Sequence, residues 1–398
     1  MLPVRTRVLP SLFRSLSAVF AIAVIGGGRS APAQTPKPTV LASAATASPL
    51  PSEVRWSVAV PGVVAPPVIE GSRIFVVLES GHVAAYRGAD GGELWKVELR
   101  SDQQITADGD RIFVTSGDAL YAIDADTGAA LWHVPTGKLT APVLAHGGWV
   151  IVTSDNTLTA FRSSDGGKVW SRPSAAQKYR PTIEGDNLYV SLDSGSLLAL
   201  DLRAGSERWA KHFAGAPTEV LAFADRIYFA SNDKYFYSVE SGPGTISWRM
   251  RFGTTLRGPP VANASRVFVA GMDNVIRAYD RGSGAERWHA SVPYRPTGLI
   301  LVGTSIVVPG ISPELRAFDA VTGKPAGQIV LPEQLATPPA FDQSEKEILM
   351  AAVIGGLSGQ WKLLLTQPGP PSPPVLAVEP LTTLPGTTVL AEAPPPPV

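Results

Sequence analysis

Side chains able to do chemistry are few and scattered along these 398 residues. The histidines His82, His133, His146, His212 and His289 lie at unrelated separations, with none of the paired spacings that a zinc site needs, and they read as surface or interface residues. Asp124-Ala125-Asp126 has the start of a calcium loop, but a tight glycine turn follows and no acid stands where the bidentate ligand belongs. Gly242-Pro243-Gly244 lacks the lysine and the helix of a phosphate cradle, and Gly26-Gly27-Gly28 falls in a leader-like segment. Asn263-Ala264-Ser265 fits a glycosylation acceptor only as a three-residue match. With no cysteine in the chain, there is no thiol nucleophile and no disulfide. No catalytic residue, cofactor ligand or metal ligand is assigned.

One pattern suits binding better than catalysis. Arg180 in Lys178-Tyr179-Arg180-Pro181, Arg257 in Leu256-Arg257-Gly258-Pro259 and Arg295 in Tyr294-Arg295-Pro296 each stand just ahead of a short apolar strand core. Arginine and tyrosine are favoured in protein contacts, and neighbouring prolines stiffen the loops that carry them. Arg180, Arg257 and Arg295, with Tyr179 and Tyr294, are therefore the candidate residues for a protein partner or an anionic ligand on one rim. The plain alternative is a solvated rim that happens to hold arginines.

The elements that position these residues recur. Eight strand cores, from Ile74-Phe75-Val76 and Ile112-Phe113-Val114 through Ile306-Val307-Val308 to Ile348-Leu349-Met350, begin 38, 37, 39, 39, 40, 39 and 42 residues apart. A period near forty in a strand-rich chain is that of a β-propeller, one blade per repeat. In phase with it run seven glycines, Gly91, Gly128, Gly166, Gly205, Gly244, Gly284 and Gly323, where a hairpin between the last two strands of a blade needs positive φ. Six of them precede a tryptophan by four residues: Trp95, Trp132, Trp170, Trp209, Trp248 and Trp288. Each indole offers about 150–250 Å² of mostly apolar surface, worth at most about 4–6 kcal/mol, and is expected to join one blade to the next. The small residues Ala85, Ala122, Ala160, Ala199, Ser238, Ala278 and Ala317 mark a close backbone approach, and Asp124, Asp201, Asp280 and Asp319 are placed to bond turn amides.

The two ends of the array complement each other. Trp56 lies in a repeat-ending strand with no repeat before it, and the eighth repeat runs out after Trp361 without the glycine-turn-tryptophan ending. The expected fold is all-β: an eight-bladed β-propeller of four-stranded antiparallel blades, closed by the N-terminal strand around Trp56, because an open stack would leave apolar blade faces in water. In the seventh repeat Gly327 stands at the tryptophan site with Pro325 close by, so that joint should be weaker.

Outside the array the composition changes. Residues 1–33 read as a signal peptide: Arg5, Arg7 and Arg14 precede an apolar run over residues 16–25 that is short for a membrane span, and Ala31-Pro32-Ala33 offers a cleavage site. Residues 34–51 read as a flexible linker, 52–367 as the propeller and 368–398 as a disordered proline-rich tail. Cleavage after Ala33 removes four arginines and no acid, leaving 30 basic and 34 acidic side chains and no invitation to nucleic acid. The expectation is an exported protein, periplasmic or secreted, with no transmembrane segment once the leader is removed, acting as a monomeric ring. An uncleaved leader kept as an anchor is the alternative.

The alanine, acid, Thr-Gly and tryptophan pattern is clearest in Ala122 to Trp132. It is repeated in Ala199 to Trp209, Ala278 to Trp288 and Ala317 to Gly327, and it resembles the repeat of pyrroloquinoline-quinone-type propellers from Val54 to about Leu365. The resemblance implies one of two branches: quinoprotein alcohol and glucose dehydrogenases, with bound quinone and calcium, or non-catalytic eight-bladed proteins similar to the outer-membrane assembly factor of the β-barrel insertion machinery. Alcohol-oxidising members typically hold the quinone against a disulfide between adjacent cysteines and carry longer loops, whereas this chain has no cysteine and short repeats. Members of the assembly branch usually begin at a lipid-modified cysteine, which is also missing here. The resemblance implies a non-catalytic scaffold for envelope proteins, without cofactor. The other readings are a quinone-dependent dehydrogenase and a funnel that takes a small molecule or glycan.

Overall fold

The computed structural model describes residues 49–50, 52–101, 103–343, 348–355 and 360–369. The segments read as signal peptide and as proline-rich tail, beyond residue 369, and most of the segment read as linker lie outside these residues. Eight four-stranded antiparallel sheets form the blades of a propeller. Blades 1 to 7 run over 68–98, 106–135, 144–173, 182–212, 221–251, 256–291 and 300–330. In each, the chain passes from the innermost strand a outward to strand d, as in Val68–Glu70, Arg73–Leu78, His82–Arg87 and Glu93–Glu98 of blade 1. Inner strands of neighbouring blades lie side by side around the axis, as Val68–Glu70 does with Thr106–Asp108, and Val68–Glu70 also meets Ala340–Gln343 to close the circle.

Burial follows the sequence pattern of each strand. The second strand of a blade is a continuous apolar run buried on both faces, as in Trp149–Ser154, whereas the outermost strand alternates, as in Ala130–Pro135. The apolar core lies between blades, one cluster at each of the eight junctions; Phe75, Val77 and Ala85 of blade 1, for example, pack on Ile112, Val114 and Ile123 of blade 2.

The glycine and tryptophan positions are two halves of one contact. At the seven turn glycines φ lies between +67° and +75°, and a Cβ built on any of them would stand 2.5–2.8 Å from an indole carbon of the preceding blade. The same indole donates from Nε1 to a backbone carbonyl of the next blade: Trp95 to Ala125 at 3.0 Å, Trp170 to Leu202 at 2.8 Å, Trp248 to Arg281 at 2.9 Å. Glycine is required both for the backbone sign and for room under the ring. The small residues, all fully buried, pair across the ladder with the tryptophan position, and a β-bulge follows each such pair. Asp124, Asp201, Asp280 and Asp319 each accept from two turn amides through Oδ1.

Blade 8 joins the two chain ends. Its strands are Ala340–Gln343, Ile348–Gly355, Trp361–Pro368 and, from the N-terminus, Ser52–Val60, which pairs with Trp361–Pro368 from Ser52↔Pro368 to Val60↔Trp361. Trp56 makes the contact that the six repeat tryptophans make, covering Gly91 and donating to Gly88 O at 2.9 Å. The linker assignment needs correction at its end: Pro49 and Leu50 are buried, so the packed structure reaches back into residues 34–51. Leu50 sits among Val302, Leu315, Ala352 and Leu364 between blades 7 and 8. Any Cβ at Gly327 would run into its carbonyl. The junction without a tryptophan is thus the one where the chain ends replace the glycine turn, and Leu50 fills the space.

Candidate functional site

The connections from the outer strand of one blade to the inner strand of the next all emerge at one end of the ring. Bridges such as Leu139↔Ser154, Pro217↔Ser231 and Pro296↔Gly310 tie them to the turn between the second and third strands, which opens on the same end. Arg180, Arg257 and Arg295 all lie on these connections, but not in one register. Thr182, Val261 and Ile300 are equivalent by their pairing with Tyr189, Phe268 and Val307. Counted from these residues, the arginines stand two, four and five positions ahead.

The structure separates them accordingly. Arg257 and Arg295 are exposed, and their connections touch where Gly258, at φ +65°, faces Gly298. Arg257 lies on the innermost strand of blade 6, which starts early at Leu256 and carries a bulge between Arg257 and Val261. Arg180 is drawn inward instead. Burial pulls its guanidinium below the ordinary arginine value, an effect partly offset by Glu219. Burial pushes the Glu219 carboxyl up, and Arg180 opposes that rise. Glu219 stands two positions ahead of Leu221, so it is the register equivalent of Arg180 on the next blade. Aligning residues on the inner strand, not on the strand core, is the signal that finds it.

The two tyrosines differ as well. Tyr179 is half-buried beside Arg180. Tyr294 does not belong to an exposed rim: it is 7% exposed, its hydroxyl donates to Val308 O at 2.8 Å and accepts from Arg316 N at 3.1 Å. Burial pushes its phenol up to about 12. It braces the third strand of blade 7 and leaves the candidate set.

The same end of the ring carries features the sequence did not flag. A groove of about 160 Å³ between blades 5 and 6 is lined by Thr218, Ser231, Lys234, Tyr235, Thr255 and Leu256, and so adjoins Arg257. Arg249 lies 4.8 Å from the Tyr235 ring centroid. Hydroxyls, an aromatic edge and two exposed guanidinium groups can hold polar or acidic groups of a partner; they contain no nucleophile paired with a base. Among the described residues, no three His, Asp or Glu side chains converge to hold a metal ion.

The family model described as outer membrane protein assembly factor BamB matches in three overlapping stretches, residues 14–105, 79–223 and 213–338. BamB of Shewanella oneidensis is 27% identical over 239 residues, 54% of this chain and 60% of that protein. BamB of Bordetella pertussis is 27% identical over 160 residues, 36% of this chain and 39% of that protein. Tetrathionate hydrolase of Acidithiobacillus ferrooxidans is 25% identical over 175 residues, 36% of this chain and 34% of that protein. The chain therefore spans between 34% and 60% of these curated relatives. Among solved structures, BamB of Moraxella catarrhalis superposes with a TM-score of 0.62 at 18% identity, covering 79% of this chain and 97% of that one. Quinohemoprotein alcohol dehydrogenase of Comamonas testosteroni gives 0.62 at 14% identity, covering 79% and 76%. Likeness at such identities shows the fold alone. The family match is a different matter: its stretches together run from residue 14 to residue 338, through all of blades 1 to 7, and the chain belongs to the family of the outer membrane protein assembly factor BamB.

Proposed function

We propose that this protein is an exported, non-catalytic propeller that binds protein partners in the cell envelope and takes part in the assembly of outer-membrane proteins. The observation that carries the reading is the family match over residues 14–338. The exposed pair Arg257 and Arg295, on connections that touch, supports a partner surface at that end of the ring. The basic, apolar, small-residue order of residues 1–33 supports export to the periplasm. Work without a quinone is part of the proposal: the chain has no cysteine, and among the described residues the donor set does not suit a calcium-bound quinone.

The test is affinity capture of the tagged protein from native envelopes, followed by mass spectrometry, beside Arg257→Ala/Arg295→Ala. Arg180 is left in place because its removal would strand the half-buried Glu219 carboxylate. Components of the β-barrel insertion machinery should be captured by the parent chain and depleted at least about tenfold with the variant, which corresponds to about 1.4 kcal/mol of binding. Outer-membrane β-barrel proteins should fall in a strain lacking the protein. Tight quinone binding with calcium and dye-linked oxidation of alcohols or sugars would overturn the reading.

A further inference from the structure

At the opposite end of the ring, three junctions share a device. A carboxylate at the end of one blade's inner strand accepts from the amides of the next blade's first hairpin turn. Glu70 takes Gly109 N at 3.2 Å, Asp108 takes Gly147 N at 3.0 Å and Gly148 N at 2.8 Å, and Glu184 takes Ala224 N at 3.0 Å. On blade 3 the residue in this register is His146, since Leu144 pairs with Ile151 as Thr106 pairs with Phe113 and Thr182 with Tyr189. An imidazole supplies no carboxylate, and Gly185 N on blade 4 has no acceptor among the described residues.

An open groove of about 470 Å³ lies at this place, lined by His146, Trp149, Ile183, Gly185, Leu202 and Arg203 among others. Leu202 is buried and Trp149 and Ile183 are half-buried, so the floor is apolar; His146 and Arg203 are exposed at its edge. Asp186 also borders the groove and pairs with Arg203 at 3.4 Å. It does not bar an anion, because Asp110 and Asp225 hold the same turn position beside Gly109 and Ala224, whose amides both bind a carboxylate. The inner strands of blades 6 and 7 also lack the acid, with Asn263 and Val302 in that register, and so does the junction of blades 5 and 6, with Phe223. There Arg281 fills the corner, donating to Ala264 O and Phe223 O at 3.0 and 3.2 Å and lying 4.9 Å from the Phe223 ring centroid. Nothing fills it between blades 3 and 4 among the described residues.

We propose that this groove binds a carboxylate carried on an apolar body. The carboxylate accepts from Gly185 N, as the side chains of Glu70, Asp108 and Glu184 do at their own junctions, beside His146 and Arg203. The apolar body lies along Trp149, Ile183 and Leu202. Two sources share this chemistry, a free small acid and the C-terminus of a polypeptide.

Titration calorimetry at neutral pH with 3-phenylpropionate, with a tetrapeptide ending in free phenylalanine, and with the amide of each, separates them. Saturable binding of either acid, with its amide weaker by about tenfold or more, supports the site, and the tighter acid names the source. His146→Asp supplies the carboxylate from within, as Asp108 does; it should raise the melting temperature and abolish acid binding. Arg203→Ala, a surface change, should weaken binding several-fold while leaving the melting temperature unchanged. Absence of saturation for both acids up to about 10 mM, equal binding of acid and amide, or unaltered binding by His146→Asp would each overturn the proposal. None of these outcomes touches the partner reading, which concerns the other end of the ring.

Discussion

A turn glycine here answers two demands, and only one of them is local. Positive φ at Gly128 or Gly284 is set by the hairpin and is written in the spacing, whereas the lack of room for a Cβ comes from an indole belonging to the preceding blade. Tyr294 shows the converse: its place beside Arg295 suggested an exposed phenol, but the connection folds inward and gives the hydroxyl two backbone partners. Such buried phenols set an alkaline limit. Burial pushes Tyr294 up to about 12, and Tyr237 rises to about 12 by burial and then by its bond to Asp233. Both values lie above the unfolded value of about 10, so their stabilising effect is complete below pH 10 and is lost as pH rises through about 12. The turn acids set the acid limit with the opposite sign. Asp124, held down chiefly by Thr127, Asp201 by the Ala204 amide, and Asp319 by Thr322 sit below the ordinary carboxylate value; what they contribute is present above about pH 4 and is lost as pH falls through their lowered values. Urea unfolding at a series of pH values should give a plateau between these limits, and Tyr237→Phe should make the decline above pH 10 shallower. An unchanged alkaline slope in that variant would contradict the assignment.

At the scale of the strand, the outermost element of every blade except blade 7 works through its tryptophan. In blades 1, 2, 4, 5 and 6 the ring packs on an aromatic of the second strand, as Trp132 on Phe113 at 5.8 Å, while Nε1 bonds across the junction, as to Ser163 O at 3.1 Å. The two contributions separate by substitution. Trp132→Phe keeps most of the apolar contact and loses the inter-blade bond, an expected cost of about 1 kcal/mol, whereas Trp132→Ala also opens a cavity and should cost about 3–5 kcal/mol. Denaturant midpoints for both variants check this, and equal losses would show that the junction depends on the bond alone. Why the strands and turns were legible while the candidate face was not follows from the same geometry. Strand cores, glycines and tryptophans repeat in one phase because every junction but that of blades 7 and 8 imposes the same contact. The connections vary in length, so Arg180, Arg257 and Arg295 look alike in sequence yet stand two, four and five residues from their inner strands. Glu70, Asp108 and Glu184 did carry a signal, an acid followed by glycine at the first hairpin of a repeat, but their acceptor role appears only when the next blade is in place.

For the whole ring, closure decides stability, because each blade buries its faces only against neighbours. Pairing of Ser52–Val60 with Trp361–Pro368 gives blade 8 its outer strand, and Trp56 on Gly91 gives the seam the same lock as the other junctions. The missing tryptophan between blades 7 and 8 was legible in Gly327, but what takes its place was not: Leu50 lies in a segment whose alanine, proline and threonine content reads as a tether. A truncation series separates the two devices. A chain starting at Ser52 keeps the closing strand and loses Leu50, which is fully buried, so it should lose about 2–5 kcal/mol, as expected for deleting a buried leucine, while remaining a monomer. A chain starting at residue 63 also loses the outer strand and exposes the edge of Trp361–Pro368 together with Leu363 and Leu365, both wholly buried in the intact ring. That chain should unfold at a much lower temperature and self-associate through the bare edge. Light scattering and thermal melts of the two truncations, beside the intact protein, distinguish these outcomes; if the shorter chain melts with the longer one and stays monomeric, the ring does not depend on its N-terminal strand.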